Sequence, residues 1–452
     1  MRSNTIDALT AFTWERQPTA ARLVAQLLEK FVAANPSIAL LEERLRHETG
    51  NRLEDWIDSF VVPANWFGSL RERLAETGFA DSGENIWTHN EGIFPVVKLT
   101  DGEMANLLVK VESVDDFAAH YPVPKGNPLG EPGSAYRTLE VAQVNDTSLI
   151  VAERHGWRDF NLTTESQEDI ATAREHLATF CERVRDFADA EAGYAYTRAL
   201  IETAVADLGA NRACDLFFAA EREYWQSRNH AARVQYERQQ KLGMGWANHD
   251  HHTYRSSRAC FHHLVEMLER LGFHCRERFY AGVEAGWGAQ VLEQPGAGIV
   301  VFADVDMSAE EVAGDFAHLG LAPRAELGTV GLWCQLHGEA FLSAGMHHLE
   351  CQFDFDRARK QLAEVGVESM APFTDFPHLR QAFTTGERWQ VNPARIDAAL
   401  AAGQITENDA KQFRSEGAIG SHLEILERND GYKGFNQTGV SDIIARTDPR
   451  KW

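Results

Sequence analysis

One order of elements recurs in the second half of this 452-residue chain, and a recurrence of that kind leaves few architectures open. HHTYRSS reads as a strand, RACFHHLVEMLERLGF as an amphipathic helix, and CRERFYAG, WGAQVLEQ and AGIVVFADVD as three more strands. PGAG makes the turn between the last two, a hairpin connection and not a phosphate cradle. The order then begins again, with HHLECQFDF as strand, DRARKQLAEVGV as helix and GSHLEILER as a late strand. GLWCQLHGEAF reads as a hairpin ahead of this second copy, and FPHLRQAFTTGERWQVNPARIDAALAAGQITENDAKQFRSEG as a helical, polar insertion before its last strand. Repeated βαβββ units of this type predict an α+β fold.

The first half carries a looser version of the same order. TAARLVAQLLEKFVAANPSIALLEERLRHETG predicts two helices broken at Pro36 and Gly50. DWIDSFVV then reads as a strand, NWFGSLRERLAETGF as a helix, and IWTHNEGIFPVVKL and MANLLVKVES as extended segments. A Pro- and Gly-rich loop, YPVPKGNPLGEPGSAY, leads to a hairpin of YRTLEVAQV and TSLIVAERH turned at Asn145 and Asp146. Helical periodicity follows, with helices expected over 166–190, 195–207 and 211–240. The expected organisation is an α+β unit over 1–160, a helical connecting block over 161–245 and a metal-binding βαβββ domain over 246–452.

Charge and composition exclude several functions. With 67 acidic against 44 basic residues the formal net charge is −23, so neither nucleic acid nor an anionic membrane surface is an expected partner. The opening MRSNTIDALTAFTWERQ lacks the apolar core of a signal peptide, which leads to an expected cytoplasmic location. Cys181, Cys214, Cys260, Cys275, Cys334 and Cys351 show no CxxC spacing, arguing for reduced, mostly buried thiols and not a zinc ribbon.

Three strand-like segments each carry a metal-capable side chain: DHHTYR (250–255), GMHHLEC (345–351) and SHLEILER (421–428). Alternate residues share a strand face, so His251, Thr253 and Arg255 point the same way. Arg255, about 13 Å along at ~3.3 Å per residue, can lean back to grip a carboxylate held on a metal. Glu424 stands between Leu423 and Ile425, and an acid in an apolar strand calls for a cation. The residues alone leave His251 or His252, and His347 or His348, as the imidazole ligands. His249, His262, His263, His274, His318, His337, His378 and His422 are expected on the surface or on helices. Two histidines and one carboxylate leave coordination positions open, the pattern of non-haem Fe(II) oxygenases, although Zn, Ni or Mn would accept the same donors.

SHLEILERNDGYKGFNQTGVSDII is similar to the C-terminal signature of 4-hydroxyphenylpyruvate dioxygenase, where a strand reading roughly FxEIIQR supplies the iron-binding Glu ahead of a Gly-Phe segment and a closing helix. Glu427 stands where that pattern has Gln, and Gly434 and Phe435 are kept. DHHTYR resembles the DHxxxR stretch of the 2-oxoadipate dioxygenase/decarboxylase family, whose His binds metal and whose Arg grips the substrate carboxylate. Both families belong to the vicinal oxygen chelate superfamily of repeated βαβββ, glyoxalase-like units. The resemblance implies a metal on His251, His347 and Glu424, with Arg255 on the substrate. His347 is chosen because HHLECQFD is similar to the first strand of glyoxalase-like units. The expected activity is that of an Fe(II) dioxygenase, possibly decarboxylating, acting on a small 2-oxo acid with O₂. A Zn or Ni lyase or isomerase and a metal-free binding protein are the alternatives. The N-terminal half, with no comparable His and Glu set, is expected to hold no metal and to serve packing or substrate enclosure.

Overall fold

The computed structural model describes residues 14–121, 126–163, 165–283, 285–436 and 448–451. The closing helix implied after Phe435 lies outside them. Pro36 and Gly50 act as the expected breaks. Helix α1 (Pro18–Ala34) stops at Asn35, whose side chain accepts the N–H of Ser37 and starts α2 (Pro36–Arg44). The following turn closes on Gly50 with φ 71°, and a Cβ there would lie 2.8 Å from the Cα of Ala358, so glycine permits a close approach to the C-terminal half.

The first sheet contains β1 (Ile57–Pro63), β2 (Ala80–Asp81), β3 (Ile86–Thr88), β4 (Val96–Thr100), β5 (Ala105–Lys110), β6 (Tyr136–Val144) and β7 (Thr147–Arg154). Helix α3 (Leu70–Glu76) follows β1, and α4 (Val114–His120) follows β5. The spatial order is β2-β3-β4-β1-β5-β7-β6, with β1 and β5 antiparallel at the centre and each flanked by a parallel partner, β4 and β7. Phe60, Val62, Leu107, Val109, Leu149 and Val151 face one way, into a core shared with the first four helices.

The helical stretch is divided more finely than its periodicity predicts, into α5 (Gln167–Glu182), α6 (Ala190–Leu208), α7 (Ala210–Ser227) and α8 (His230–Gln240). The expected helix to 190 ends at Glu182 because Arg183 and Arg185 leave the helix to share the fully buried carboxylate of Glu221. Asn229 breaks the expected 211–240 helix by capping α8 through the N–H of Ala232.

His155, just after β7, ties the first sheet to α7. Its ring nitrogens lie 2.9 Å from Asp215 and 2.9 Å from Glu153. Burial works against the imidazolium, but these carboxylates outweigh it and push the pKa up from 6.5 to about 9. A raised folded pKa stabilises fully below the unfolded value and is lost as pH rises through about 9. The unfolding free energy should therefore exceed that of His155→Gln by about 1.5–3 kcal/mol at pH 6, the range for hydrogen bonds to a charged group. Urea titrations should show this gap closing towards pH 10; an equal gap at both pH values would mean that His155 carries no charge.

The second sheet realises the repeat read from the sequence. The first unit runs β8 (His249–Arg255), α9 (Phe261–Arg270), β9 (His274–Tyr280), β10 (Trp287–Gln294) and β11 (Ile299–Asp306). The second runs β12 (His348–Gln352), α13 (Phe355–Glu364), β13 (Thr374–Phe376), β14 (Leu379–Phe383) and β16 (Ala418–Arg428). Between the units stand α10 (Ala309–Val312), α11 (Phe316–Leu319) and α12 (Thr329–His337); β15 (Glu387–Trp389), α14 (Pro393–Ala401) and α15 (Glu407–Glu416) precede β16. The order is β13-β14-β16-β12-β8-β11-β10-β9, with β15 also on β16, and β8 meets β12 antiparallel at the seam. The fold is thus α+β, built of repeated βαβββ units with a helical block.

Two expected elements differ. GLWCQLHGEAF contains helix α12 in place of a hairpin: it is buried nearly all round, which erases the amphipathic period, and the Asp306 carboxylate accepts N–H bonds from Val330 and Gly331 at its start. The insertion is not helical throughout, because LRQAF pairs with β16 as β14 and ERW forms β15. Among the described residues no helix is long and apolar enough to cross a membrane.

Candidate metal centre

Alternation along the three central strands decides which side chains meet. Tyr254, Leu349, Cys351, Leu423 and Ile425 point into the large core under α7 and α9. His252 shares that face, its ring edge-on to Phe218 at 5.0 Å between centroids. The opposite face carries His251 and Arg255 on β8, His348 and Glu350 on β12, and Glu424 on β16. Register aligns them: Glu350 lies opposite His251 on one side and Glu424 on the other.

Ligand atoms of His251, His348 and Glu424 all lie within 4.8 Å of one another, and all three residues are buried. His348 Nε2 is 3.0 Å from Glu424 Oε2, and His251 Nε2 is 2.7 Å from Glu350 Oε2. Of the expected set, His251 and Glu424 are brought together, but His348 stands with them instead of His347. The reason lies in the backbone. His347 precedes β12, its N–H donates to the Thr253 carbonyl, and its ring is edge-on to Trp333 and His422 at 5.3 and 5.2 Å. His347 still touches the group, since its Nδ1 lies 2.8 Å from His348 Nδ1. With His348 protonated on Nδ1 and His347 accepting there, His348 Nε2 is free to ligate, and His347 carries its proton on Nε2, which has no partner among the described residues.

Donor chemistry suits a divalent cation. Burial pushes the His348 pKa down to about 3, aided by Arg255, and holds His347 well below its ordinary value, so both rings are neutral. Burial raises Glu424 to about 8 and Glu350 well above the carboxylate range, and Gln381 Nε2 donates to both at 3.2 Å. Acids this costly to bury are what a cation would relieve.

A brace holds the first histidine. Asp250 is the extra residue of a β-bulge in β8, between His249 and His251 in the pairing with β12. Its carboxylate lies 3.2 Å from His251 Nδ1 and is gripped by Arg428 at 2.9 and 2.9 Å, with Gln352 donating at 3.1 Å. This fixes the tautomer that turns Nε2 inward. Asp250, Glu350 and Arg428 were missed in the sequence, although Glu350 follows His348, and Arg428 follows Glu424, at even spacing on the same strand.

Arg255 is 1% exposed, yet no carboxylate lies within 4 Å of it among the described residues, and its Nε and Nη1 have no partner. Asp304, its cross-strand neighbour, is pushed by burial to about 8. Beyond the triad an apolar wall of Phe279, Trp287, Trp333, Phe383 and Phe302 lines the face. Of the remaining histidines, His337 is helical as expected, ending α12 with Nε2 3.0 Å from the Ile419 carbonyl, whereas His422 is buried in strand β16 beside His347 and His249 is half-buried in β8, neither on a helix nor at the surface.

The two units are related by a local twofold at the β8–β12 seam, where the pairs His251 with Glu350 and Thr253 with His348 exchange. On this relation Glu424, opposite Glu350, corresponds to Phe302, opposite Thr253. A fourth symmetric ligand is therefore replaced by an aromatic ring.

No family model and no curated protein matches the chain. Solved structures show distant likenesses. A triple mutant of 4-hydroxymandelate synthase from Streptomyces coelicolor has 11% identity and a TM-score of 0.30, covering 75% of this chain and 95% of that one. Methylmalonyl-CoA epimerase from Mycobacterium tuberculosis has 14% identity and a TM-score of 0.23, covering 40% and 88%. A xylose isomerase-like TIM barrel/4-hydroxyphenylpyruvate dioxygenase fusion protein has 10% identity and a TM-score of 0.24, covering 91% and 56%. At such values the likenesses carry nothing about activity.

Proposed function

We propose that the chain is a non-haem Fe(II) dioxygenase acting on a small 2-oxo acid, with loss of CO₂. The observation that carries this reading is a set of two imidazoles and one carboxylate, with Phe302 where a fourth ligand would complete the symmetry and, on the same face, Arg255, whose Nε and Nη1 have no partner among the described residues. His251, His348 and Glu424 would hold the metal, which when bound supplies open positions for a chelating 2-oxo acid and for O₂. Arg255 would pair with a substrate carboxylate, and the Nε2–H of His347 offers a second donor. The aromatic wall would exclude water from the reacting face.

Glu350 favours a second reading. A carboxylate of raised pKa beside the metal ligands suits proton transfer, as in a Zn or Ni lyase or isomerase. Oxygen separates the two. Protein purified without air should contain iron, and O₂ uptake with a panel of 2-oxo acids should match CO₂ release one to one. Turnover that proceeds equally under argon would replace the dioxygenase reading with the lyase.

A further inference from the structure

The first sheet copies the metal-bearing sheet down to its brace. Asp58 is the extra residue of a bulge in β1, between Ile57 and Ser59, as Asp250 is in β8. Arg154 grips it at 2.7 and 3.0 Å, as Arg428 grips Asp250. The registers then align residue by residue. Ser59 stands for His251, Asn106 for His348, Leu108 for Glu350, Ile150 for Glu424 and Lys110 for Gln352. The ligand positions carry no imidazole or carboxylate, but the brace is present and a lysine stands next to it.

That end of the sheet opens into a cavity of about 550 Å³, closed on the far side by α7 and by the turn joining β10 and β11. Most of its charges are matched; Glu223, a lining carboxylate with no cation within 4 Å among the described residues, accepts from Cys181 Sγ at 3.3 Å. Arg154 has Asp58, His155 has Asp215, and Arg222 is 3.8 Å from Glu112 and 3.4 Å from His252 Nε2. Two cations have no carboxylate within 4 Å among the described residues. Lys110, half-buried, makes no hydrogen bond there. Arg158, at the rim, uses only Nε, on the carbonyls of Pro295 and Gly296. Gly298, with φ 69°, makes room for this guanidinium, because a Cβ there would lie 1.8 Å from Nη2. Trp157, Tyr236 and Trp246 supply aromatic surface between the charges.

We infer that this cavity is a second ligand site, binding the oxyanion of a small acid between Lys110 and Arg158. In a chain of net charge −23, two unmatched cations in one aromatic-walled cavity are complementary to an anion, and the volume is that of an ordinary small-molecule site. The site lies apart from the metal centre and does not depend on the activity proposed for it.

The test uses calorimetric titration of the full-length Arg255→Met protein, so that the unpartnered guanidinium beside the metal centre cannot bind the probe. Benzoate probes a carboxylate with an aromatic body, and inorganic phosphate a bare oxyanion. One equivalent of either should bind, weakened about 10- to 100-fold by Lys110→Met and by the rim substitution Arg158→Gln. Tighter binding of benzoate assigns a role to the aromatic walls, and equal binding assigns the affinity to the cations. The inference is overturned if neither probe binds, or if both variants titrate like their parent. Arg158→Gln changes only a rim residue, so it keeps the test decisive should Lys110→Met fail to fold.

Discussion

Glu424→Gln and His348→Ala should each yield folded protein without stoichiometric metal, whereas His347→Ala should stay loaded. In the Gln variant the amide oxygen still accepts from Gln381, so the packing is kept while the only anionic donor of the triad is lost. Substituting a residue that only hydrogen-bonds a metal ligand already costs about 10–100-fold in metal affinity, so the loss on removing a ligand should exceed 100-fold. Removing His347, which meets the proposed ligands through the His348 Nδ1 contact, should cost no more than that 10–100-fold range. Elemental analysis of the three proteins, with circular dichroism as the check on folding, decides the assignment. Metal lost from His347→Ala and kept in His348→Ala would restore the choice made from the HHLECQFD pattern.

The second large effect separates stability from activity. Arg255→Met should lower kcat/KM on a 2-oxo acid by about 30-fold to several thousand-fold, the equivalent of about 2–5 kcal/mol for losing one side of a buried charge pair. Metal content should not change, because Arg255 belongs to none of the ligand groups. Without substrate the guanidinium is buried with two unpartnered nitrogens, so an apolar side chain of similar length should leave the melting temperature equal or higher. A melting temperature lowered by several degrees would instead make Arg255 a structural residue paired within the protein. Asp304, its cross-strand neighbour, would then be the partner, ionised instead of held up at about 8 by burial.

Legibility in the sequence followed what each signal depends on. The βαβββ order could be read because strand and helix periods are local, and Glu424 because an acid among Leu423, Ile425 and Leu426 violates a local pattern. The choice between His347 and His348 could not be made locally. It depends on where β12 begins, and that is fixed by pairing with Thr253 across the seam. Asp250 likewise appears ordinary until the bulge turns it onto His251 and Arg428. Helix α12 and strand β14 were misread for related reasons, since burial on all sides hides a helical period and a tertiary partner overrides weak local preference. The correspondence of Asp58 and Arg154 with Asp250 and Arg428 leaves no trace in sequence similarity, because it consists of registers.

The strand that carries Glu424 is the last of the described strands, and it does not add to an edge: β16 slots between β12 and β14, both synthesised earlier. Until residues 418–428 leave the ribosome, the nascent second sheet has a gap between β12 and β14, with unpaired backbone on both sides. Such open edges are where chains stick to one another, and closure through distant pairing is slow. A chain cut between 384 and 417 would lack Glu424 and leave the facing edges of β12 and β14 open together. Under the proposed ligand set, metal occupancy doubles as a certificate that β16 has been made.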